Sequence, residues 1–151
     1  MPIPLSYGVQ RSKKTWAWTL LGAAMMTVML IAQLFGYEDF ARLLSRLVGT
    51  DMTTSTVFAG VVVLSELLAL PYLLSMYVSR LFRCVSGLLA FVISGFWLFV
   101  ALTNAHAANS GIFSVALELP GGLLAAIWSL LLFACVCYVL LADSRFRHAT
   151  S

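Results

Sequence analysis

One ionisable side chain lies in the middle of an apolar stretch that is long enough to cross a membrane. The stretch is VFAGVVVLSELLALPYLLSM, residues 57–76, and the side chain is Glu66. A charged group at the centre of a bilayer costs about 2.5 to 3.5 kcal/mol on insertion scales, so it normally faces protein rather than lipid. Two roles suit an acid there: a site for a proton or a polar head group, or a structural hydrogen bond.

The surroundings of Glu66 are expected to be polar but uncharged. No Lys, Arg or His lies at matching depth in any predicted span, so we expect the carboxyl group to be neutral. A neutral carboxyl group needs both a donor and an acceptor. Pro71 has no N–H and leaves the carbonyl of Leu67 without its helical donor. We therefore predict an intramembrane polar cluster of Glu66, Ser65, Ser94, Ser129 and Pro71.

The composition requires a bilayer around this cluster. Of the residues, 62% are hydrophobic and only 10% are charged, and the mean hydropathy is +0.98. A membrane-spanning helix takes about 20 mainly apolar residues. Four windows meet this requirement, residues 15–35, 55–77, 84–103 and 121–142. They predict an all-α polytopic membrane protein, a bundle of four transmembrane helices in one domain, residues 1–151.

The basic residues predict which side each loop faces. Seven of them would lie on one side, namely Arg11, Lys13, Lys14, Arg80, Arg83, Arg145 and Arg147, against Arg42 and Arg46 on the other. Cytoplasmic loops carry the excess of Lys and Arg, so both termini are expected in the cytoplasm. The net charge of +3 is explained in this way, without nucleic acid as a partner. The expected location is the plasma membrane, the inner membrane of a bacterium.

The segment between the first two spans has a different pattern. Apolar residues recur at helical spacing from Phe40 to Leu47, and the opposite face is charged. This pattern is typical of a short amphipathic helix on the outer membrane surface, at about residues 38–48, ended by Gly49.

Small residues repeat every four positions in the last two spans. The third span carries Ser86, Ala90 and Ser94, and the fourth carries Gly121, Ala125 and Ser129. Small residues let membrane helices approach closely. We predict that Ser86, Ala90, Gly121 and Ala125 form a packing seam between these two spans.

The sequence predicts neither a catalytic residue nor a metal site. Cys135 and Cys137 are two apart and point to different helix faces, and Cys84 stands alone. In the outer loop before the last span, one histidine and one carboxylate fall short of the three or four ligands of a metal site. Phosphate-binding, HExxH, CxxC and GxSxG motifs are missing from the sequence.

Four short motifs together resemble a known family. They are FARLLSRLV after the first span, SELLALPYLL around Glu66, the basic turn SRLFR, and NSGIFS before the last span. The chain from about residue 35 to 141 resembles the DoxX/MauE-like four-helix membrane proteins. The resemblance implies the bundle and its acidic position, and it brings in quinone as the one possible cofactor. Redox members often carry cysteines before the last helix, where this chain has NSGIF at residues 109–113.

Three functional hypotheses follow. The first is a non-catalytic accessory or assembly subunit that binds other membrane subunits, or itself, through its small-residue faces. The second is a small carrier, or a quinone or proton site, that uses Glu66. The third, least supported by the residues present, is a component of a membrane system for sulfur or thiol redox chemistry.

Overall fold

The computed structural model describes residues 13–104, 106, 110, 112–113 and 122–149, with residues 47 and 145–149 as backbone only. Within these ranges the chain forms five α-helices and no strand: α1 (Lys13–Phe35), α2 (Tyr37–Val48), α3 (Met52–Leu73), α4 (Arg80–Thr103) and α5 (Leu123–Ala149). Four of them, α1, α3, α4 and the Leu123–Ser144 part of α5, are long and apolar enough to cross a membrane. The predicted all-α bundle of four such helices is confirmed.

The four long helices form a ring in the order α1, α3, α4, α5. Each of them packs against the helix before it and the helix after it in this ring. Contacts between α4 and α5 show that neighbours are antiparallel, because Gly95 lies against Phe133 while Gly87, earlier in α4, lies against the later Leu140. We call the end of the bundle that carries α2 and the end of α4 at Thr103 the α2 side. The opposite end, with Lys13 and Ala149, is the termini side.

Helix α2 covers the end of the bundle. Phe40, Ala41 and Leu44 on its apolar face are buried, and the helix packs mainly against α3. It ends at Gly49, whose φ of 73° is left-handed and whose N–H donates to Ser45. The amphipathic helix predicted at residues 38–48 therefore packs its apolar face against the core of this protein.

The ends of α3 and α4 differ from the predicted span limits. The second span was expected to reach residue 77, but α3 ends at Leu73 in a Schellman motif, with the N–H of Met76 bonded to the carbonyl of Pro71 and that of Ser75 to Tyr72. Ser75 takes the left-handed conformation, with φ of 56°. The third span was expected from residue 84, but α4 already begins at Arg80.

Two side chains cap the starts of these helices. The hydroxyl of Ser79 accepts a hydrogen bond from the N–H of Phe82, which explains why α4 begins where it does. Asp51 caps α3 and accepts from both the hydroxyl and the N–H of Thr54. Both bonds favour the ionised carboxylate and lower the pKa of Asp51 from its ordinary value. The bond from the hydroxyl has the larger effect.

Helix α5 begins at Leu123 and runs to Ala149, beyond the expected span of 121–142. The predicted packing residue Gly121 lies outside the described residues. Ala90 and Ala125 are fully buried, as packing residues should be. Gly87 and Gly95 of α4 lie against Leu140 and Phe133 of α5, and the hydroxyl of Ser86 bonds to α3, as described below. The predicted place of Ser86 in the seam between the last two spans stays a prediction.

Candidate functional site

Glu66 is completely buried in the bundle, on the face of α3 that meets α1 and α4. One carboxylate oxygen, Oε1, accepts two hydrogen bonds. The indole N–H of Trp97 on α4 donates to it at 2.6 Å, and the side-chain amide of Gln33 on α1 donates to it at 3.3 Å. Both donors are uncharged groups. The acid is thus held by dipoles and not by a counter-ion.

Gln33 extends this contact to the outer segment of the chain. The same Nε2 that reaches Glu66 also donates to the backbone carbonyl of Ile112, at 3.1 Å. Both of its partners are acceptors, which fixes the orientation of the amide with its nitrogen toward them. Ile112 and Phe113 are buried, so this piece of the segment between α4 and α5 lies over the site.

The direction of the helices brings these three side chains together. Helical side chains lean toward the N-terminus of their own helix. Gln33 and Trp97 lie on helices that run toward the α2 side, so their side chains point toward the termini side. Glu66 lies on α3, which runs the other way, so its side chain points toward the α2 side and meets them. Trp97 lies six residues before the end of α4 at Thr103, which is about 9 Å along the axis. Glu66, however, lies fourteen residues after the start of α3 at Met52 and seven before its end at Leu73. The site therefore lies inside the bundle and extends toward the α2 side through Gln33, two residues before the end of α1.

Aromatic rings surround the polar contact. The ring of Trp97 packs against Phe96 at 5.2 Å and against Phe40 of α2 at 6.2 Å between centroids. Phe113 packs on Trp128 at 5.0 Å. Trp97 and Phe40 are fully buried, so the hydrogen bonds to Glu66 lie in surroundings of low polarity, where each bond is electrostatically stronger than in water.

Two oxygens of the site have no hydrogen-bond partner among the described residues. They are Oε2 of Glu66 and Oε1 of Gln33, and the hydroxyls of Ser110 and Ser129 share this property. Buried polar groups are nearly always satisfied, so each exception calls for an explanation. Because Oε1 of Glu66 already accepts two bonds, Oε2 is the oxygen that would carry the proton in the neutral form that the sequence predicts. In that form the pair of side chains would offer one donor from Glu66 and one acceptor from Gln33.

No basic side chain of the described residues pairs with Glu66. The described ion pairs are Arg42 with Asp39 on α2, and Arg83 with Asp143 on the termini side.

The predicted serine partners do not bond to Glu66. The hydroxyl of Ser94 donates to the carbonyl of Phe91 in its own helix, and that of Ser129 has no partner among the described residues. Ser65 is only half-buried on α3. Gln33 and Trp97 take the places that these serines were expected to fill, because an amide and an indole reach farther across a helix interface than a hydroxymethyl group does.

Pro71 leads to a polar contact of a different kind. The hydroxyl of Ser86 accepts from the N–H of Tyr72 at 3.1 Å and donates to the carbonyl of Leu68 at 2.6 Å. A regular helix would pair these two backbone groups with each other. Ser86 on α4 thus bonds to both of these backbone groups of α3, next to the proline that interrupts the helical ladder. The carbonyls that Ser86 contacts belong to Leu68 and, at 3.3 Å, to Ala69, and not to Leu67.

A second polar cluster lies on the termini side. Asp143 of α5 is buried and accepts from the hydroxyl of Tyr72 at 3.1 Å and from the guanidinium of Arg83 at 3.2 Å. The guanidinium also lies 5.9 Å from the ring centre of Tyr72. Together with Cys84 they line an open cleft of about 430 Å³. This cluster joins α3, α4 and α5.

Metal and thiol sites find no support in the described part of the chain. No group of three or more His, Cys, Asp or Glu side chains that could hold a metal ion is found there. Cys84 is exposed while Cys135 is buried.

Sequence reasoning missed three residues of these clusters. They are Gln33, Trp97 and Asp143, to which the sequence analysis gives no role. A polar amide inside an apolar window is itself a signal, since it has to be satisfied within the bundle.

Comparison of the chain with protein-family models, with curated proteins and with solved structures finds no match. The resemblance to the DoxX/MauE-like proteins therefore stays a prediction.

Proposed function

We propose that this protein is a small multi-pass membrane protein whose working group is Glu66. In this proposal Glu66 takes up and releases a proton within the bilayer and hydrogen-bonds the polar head of a lipid-soluble ligand, for which a quinone is the family-based candidate. One observation carries the proposal: Oε2 of Glu66 and Oε1 of Gln33 are buried, in adjacent side chains, without partners among the described residues. A purely structural knot would be expected to satisfy both oxygens.

The fixed donors of the site suit a change in protonation. Trp97 and Gln33 hold Oε1 in place and leave Oε2 for the proton. Hydrogen bonds to an ionised acceptor are stronger than those to a neutral one, so the same two donors support the carboxylate when the proton leaves. The site can thus hold either form without rearranging the helices.

The test compares two substitutions of Glu66. Glu66→Gln keeps the acceptor for Trp97 and Gln33 but cannot titrate, whereas Glu66→Leu removes the hydrogen bonds as well. We expect Glu66→Gln to assemble and to melt in detergent within about 1 kcal/mol of the wild type, yet to reproduce the phenotype of a gene deletion. Glu66→Leu should lose both stability and phenotype.

The opposite pattern would contradict the proposal. If cells with Glu66→Gln behave like the wild type while Glu66→Leu destabilises the protein, Glu66 is a structural residue. Asp143→Asn is the matched control, because it also neutralises a buried acid but at the termini side. The Asp143→Asn protein should be less stable than the wild type, because Arg83 loses its partner. Its phenotype therefore shows what a loss of stability does without any change at Glu66.

The orientation belongs to the proposal too. Lys13, Lys14, Arg80 and Arg83 all lie at the termini side, which supports a cytoplasmic position for both termini in the plasma membrane.

The sequence-based hypothesis of an accessory or assembly subunit is compatible with a working Glu66, because a proton site can belong to a larger complex. Purification from native membranes in mild detergent tests it. Recovery with another membrane protein in a fixed ratio supports the accessory role, and recovery of the chain alone counts against it.

A further inference from the structure

We infer that Glu66 exchanges its proton with the α2 side of the membrane and not with the termini side, through Gln33 and Ser110. This inference rests on the proposed function, because it assumes that Glu66 titrates. It adds the direction of exchange and names two positioning residues.

The hydrogen bonds of Glu66 continue toward the α2 side through Gln33. Gln33 joins the carboxylate to the carbonyl of Ile112 in the covering segment. Ser110, two residues before Ile112, is buried, and its hydroxyl has no partner among the described residues. Oε1 of Gln33 is likewise unpartnered. Buried polar groups with open hydrogen-bonding capacity are where ordered water binds, and here they lie on the α2 side of Glu66.

The termini side of Glu66 is closed by apolar packing. The next buried residues in that direction are Ala69 and Leu73 on α3 and Ala90 and Ile93 on α4, each at most 4% exposed. The next hydroxyl, that of Ser86, is engaged with the backbone of α3 on both its donor and its acceptor side.

Ser94 also lies near this level of α4. Its hydroxyl is bonded to the carbonyl of Phe91 within its own helix. It is therefore not free to relay a proton between Glu66 and the termini side.

The other titratable groups of the surrounding elements stand apart from Glu66. The titratable groups of α2 lie on its exposed face, except for Tyr37, which donates a hydrogen bond to the carbonyl of Thr56. The titratable groups of α1 lie in its first turn. None of the described groups hydrogen-bonds to Glu66 or pairs with it: Lys13, Lys14, Tyr37, Glu38, Asp39, Arg42, Arg46, Asp51, Tyr72, Tyr77, Arg80, Arg83, Cys84, His106, Cys135, Cys137, Tyr138 and Asp143. The proton of Glu66 therefore comes from water.

The step itself is a simple exchange. A hydronium ion, or a water hydrogen-bonded to it, gives its proton to Oε2 of the carboxylate, which becomes the neutral acid, and a neutral water remains. The hydroxyl of Ser110 and the amide oxygen of Gln33 hold the water molecules that lead to Oε2. No redox change is involved.

The experiment measures protonation of Glu66 with the pH set separately on the two sides. Vesicles containing the full chain are sorted for one orientation by a C-terminal affinity tag, and each compartment is buffered. N,N′-dicyclohexylcarbodiimide enters the bilayer and forms a stable acylurea with a protonated, water-excluded carboxyl group. Mass spectrometry of the peptide that contains Glu66 gives the extent of reaction.

We expect labelling of Glu66 to fall when the pH is raised on the α2 side and to stay constant when the pH is raised on the termini side. After a pH jump on the α2 side, Gln33→Leu should slow the change in labelling by about tenfold or more, and Ser110→Ala should slow it in the same direction. Ser94→Ala is the matched control, a buried serine outside the route, and should leave the rate unchanged.

Three outcomes overturn the inference. Labelling that follows the pH of the termini side, or of both sides equally, contradicts the direction. Wild-type rates in both Gln33→Leu and Ser110→Ala contradict the route. Labelling that responds to neither pH shows that Glu66 does not titrate. That last result removes the proposed function as well, whereas the first two leave it standing provided that Glu66→Gln still loses the phenotype.

Discussion

The two buried acids of the described chain are stabilised in different ways. Asp143 has a cation, the guanidinium of Arg83, and a phenol, that of Tyr72. Glu66 has only the neutral donors of Trp97 and Gln33. A carboxylate that is paired with a cation resists protonation. A carboxyl group that is held by neutral donors alone is not restricted to the ionised or the protonated form. At the residue scale this difference separates a structural acid from a candidate working acid.

The bond from Trp97 should be the stronger support of Glu66. Trp97→Phe keeps an aromatic ring against Phe40 but removes the donor, so Oε1 of Glu66 keeps only the longer bond from Gln33. Loss of one partner of a buried hydrogen bond costs about 1 to 3 kcal/mol. We expect a loss of stability in this range, measured by unfolding of the purified protein in detergent.

Trp128→Phe is the control for the change in ring size. The indole of Trp128 donates only to the sulfur of Met29, at 3.3 Å, and a thioether is a weak acceptor. Trp128→Phe should therefore lose less stability than Trp97→Phe. In addition, Trp97→Phe should cost less in a Glu66→Leu background than alone, because its partner is already gone. The hydrogen bond from Trp97 to Glu66 would not stabilise the site if Trp97→Phe and Trp128→Phe lost the same stability and if the losses from Trp97→Phe and Glu66→Leu were additive.

The acid itself was predictable from the sequence, but its partners were not. Glu66 stands out because a carboxylate in an apolar window is unusual. The choice among Ser94, Ser129, Gln33 and Trp97 depends on the rotation of each helix about its axis and on where α1 stops relative to α3. Periodicity does not define either of these, and an indole N–H is hidden in a residue that reads as apolar.

At the scale of the element, α3 depends on α4 to stay continuous at Pro71. The hydroxyl of Ser86 lies between the N–H of Tyr72 and the carbonyl of Leu68. Ser86→Ala should therefore destabilise the protein by about 0.6 to 1.7 kcal/mol, the range of side-chain hydrogen bonds in membrane bundles. Unfolding in detergent measures the loss, and Ser94→Ala, whose hydroxyl serves only its own helix, should lose less.

The link to the proline is tested by combining substitutions. In a Pro71→Ala background the helix can regain a regular ladder, so that Tyr72 donates directly to Leu68 and Ser86→Ala becomes nearly silent. If Ser86→Ala costs the same with and without the proline, the hydroxyl does not compensate for the break in α3.

The helix ends show which local signals the sequence contains. Ser79 before an apolar run is a readable N-cap, and it places the start of α4 at Arg80 where hydrophobicity alone pointed to residue 84. The end of α3 has no such signal, because the left-handed position is occupied by Ser75 and not by glycine. A non-glycine residue in that conformation is held there by tertiary structure, so the predicted end at residue 77 was too late.

At the scale of the whole molecule, the two sides of the bundle are chemically different. From the α2 side, Ile112 connects to Glu66 through Gln33, whereas the termini side carries the ion pair of Arg83 and Asp143 with an open cleft. The four-helix class followed from hydrophobic windows alone, since a bilayer allows few other solutions. The asymmetry did not follow, because it depends on contacts between helices far apart in the sequence.

The last prediction concerns how these two sides face the membrane. In a background without Cys84, Cys135 and Cys137, single cysteines at His106 and Ser144, both exposed, report the α2 side and the termini side. Because basic residues concentrate on the termini side, Ser144→Cys should react with a membrane-impermeant maleimide only after the cells are opened, and His106→Cys should react in intact cells. Ser110 is a poor reporter because it is buried. Labelling of both in intact cells would contradict four spans, and the reverse pattern would place the α2 side, and with it the proposed proton route to Glu66, in the cytoplasm.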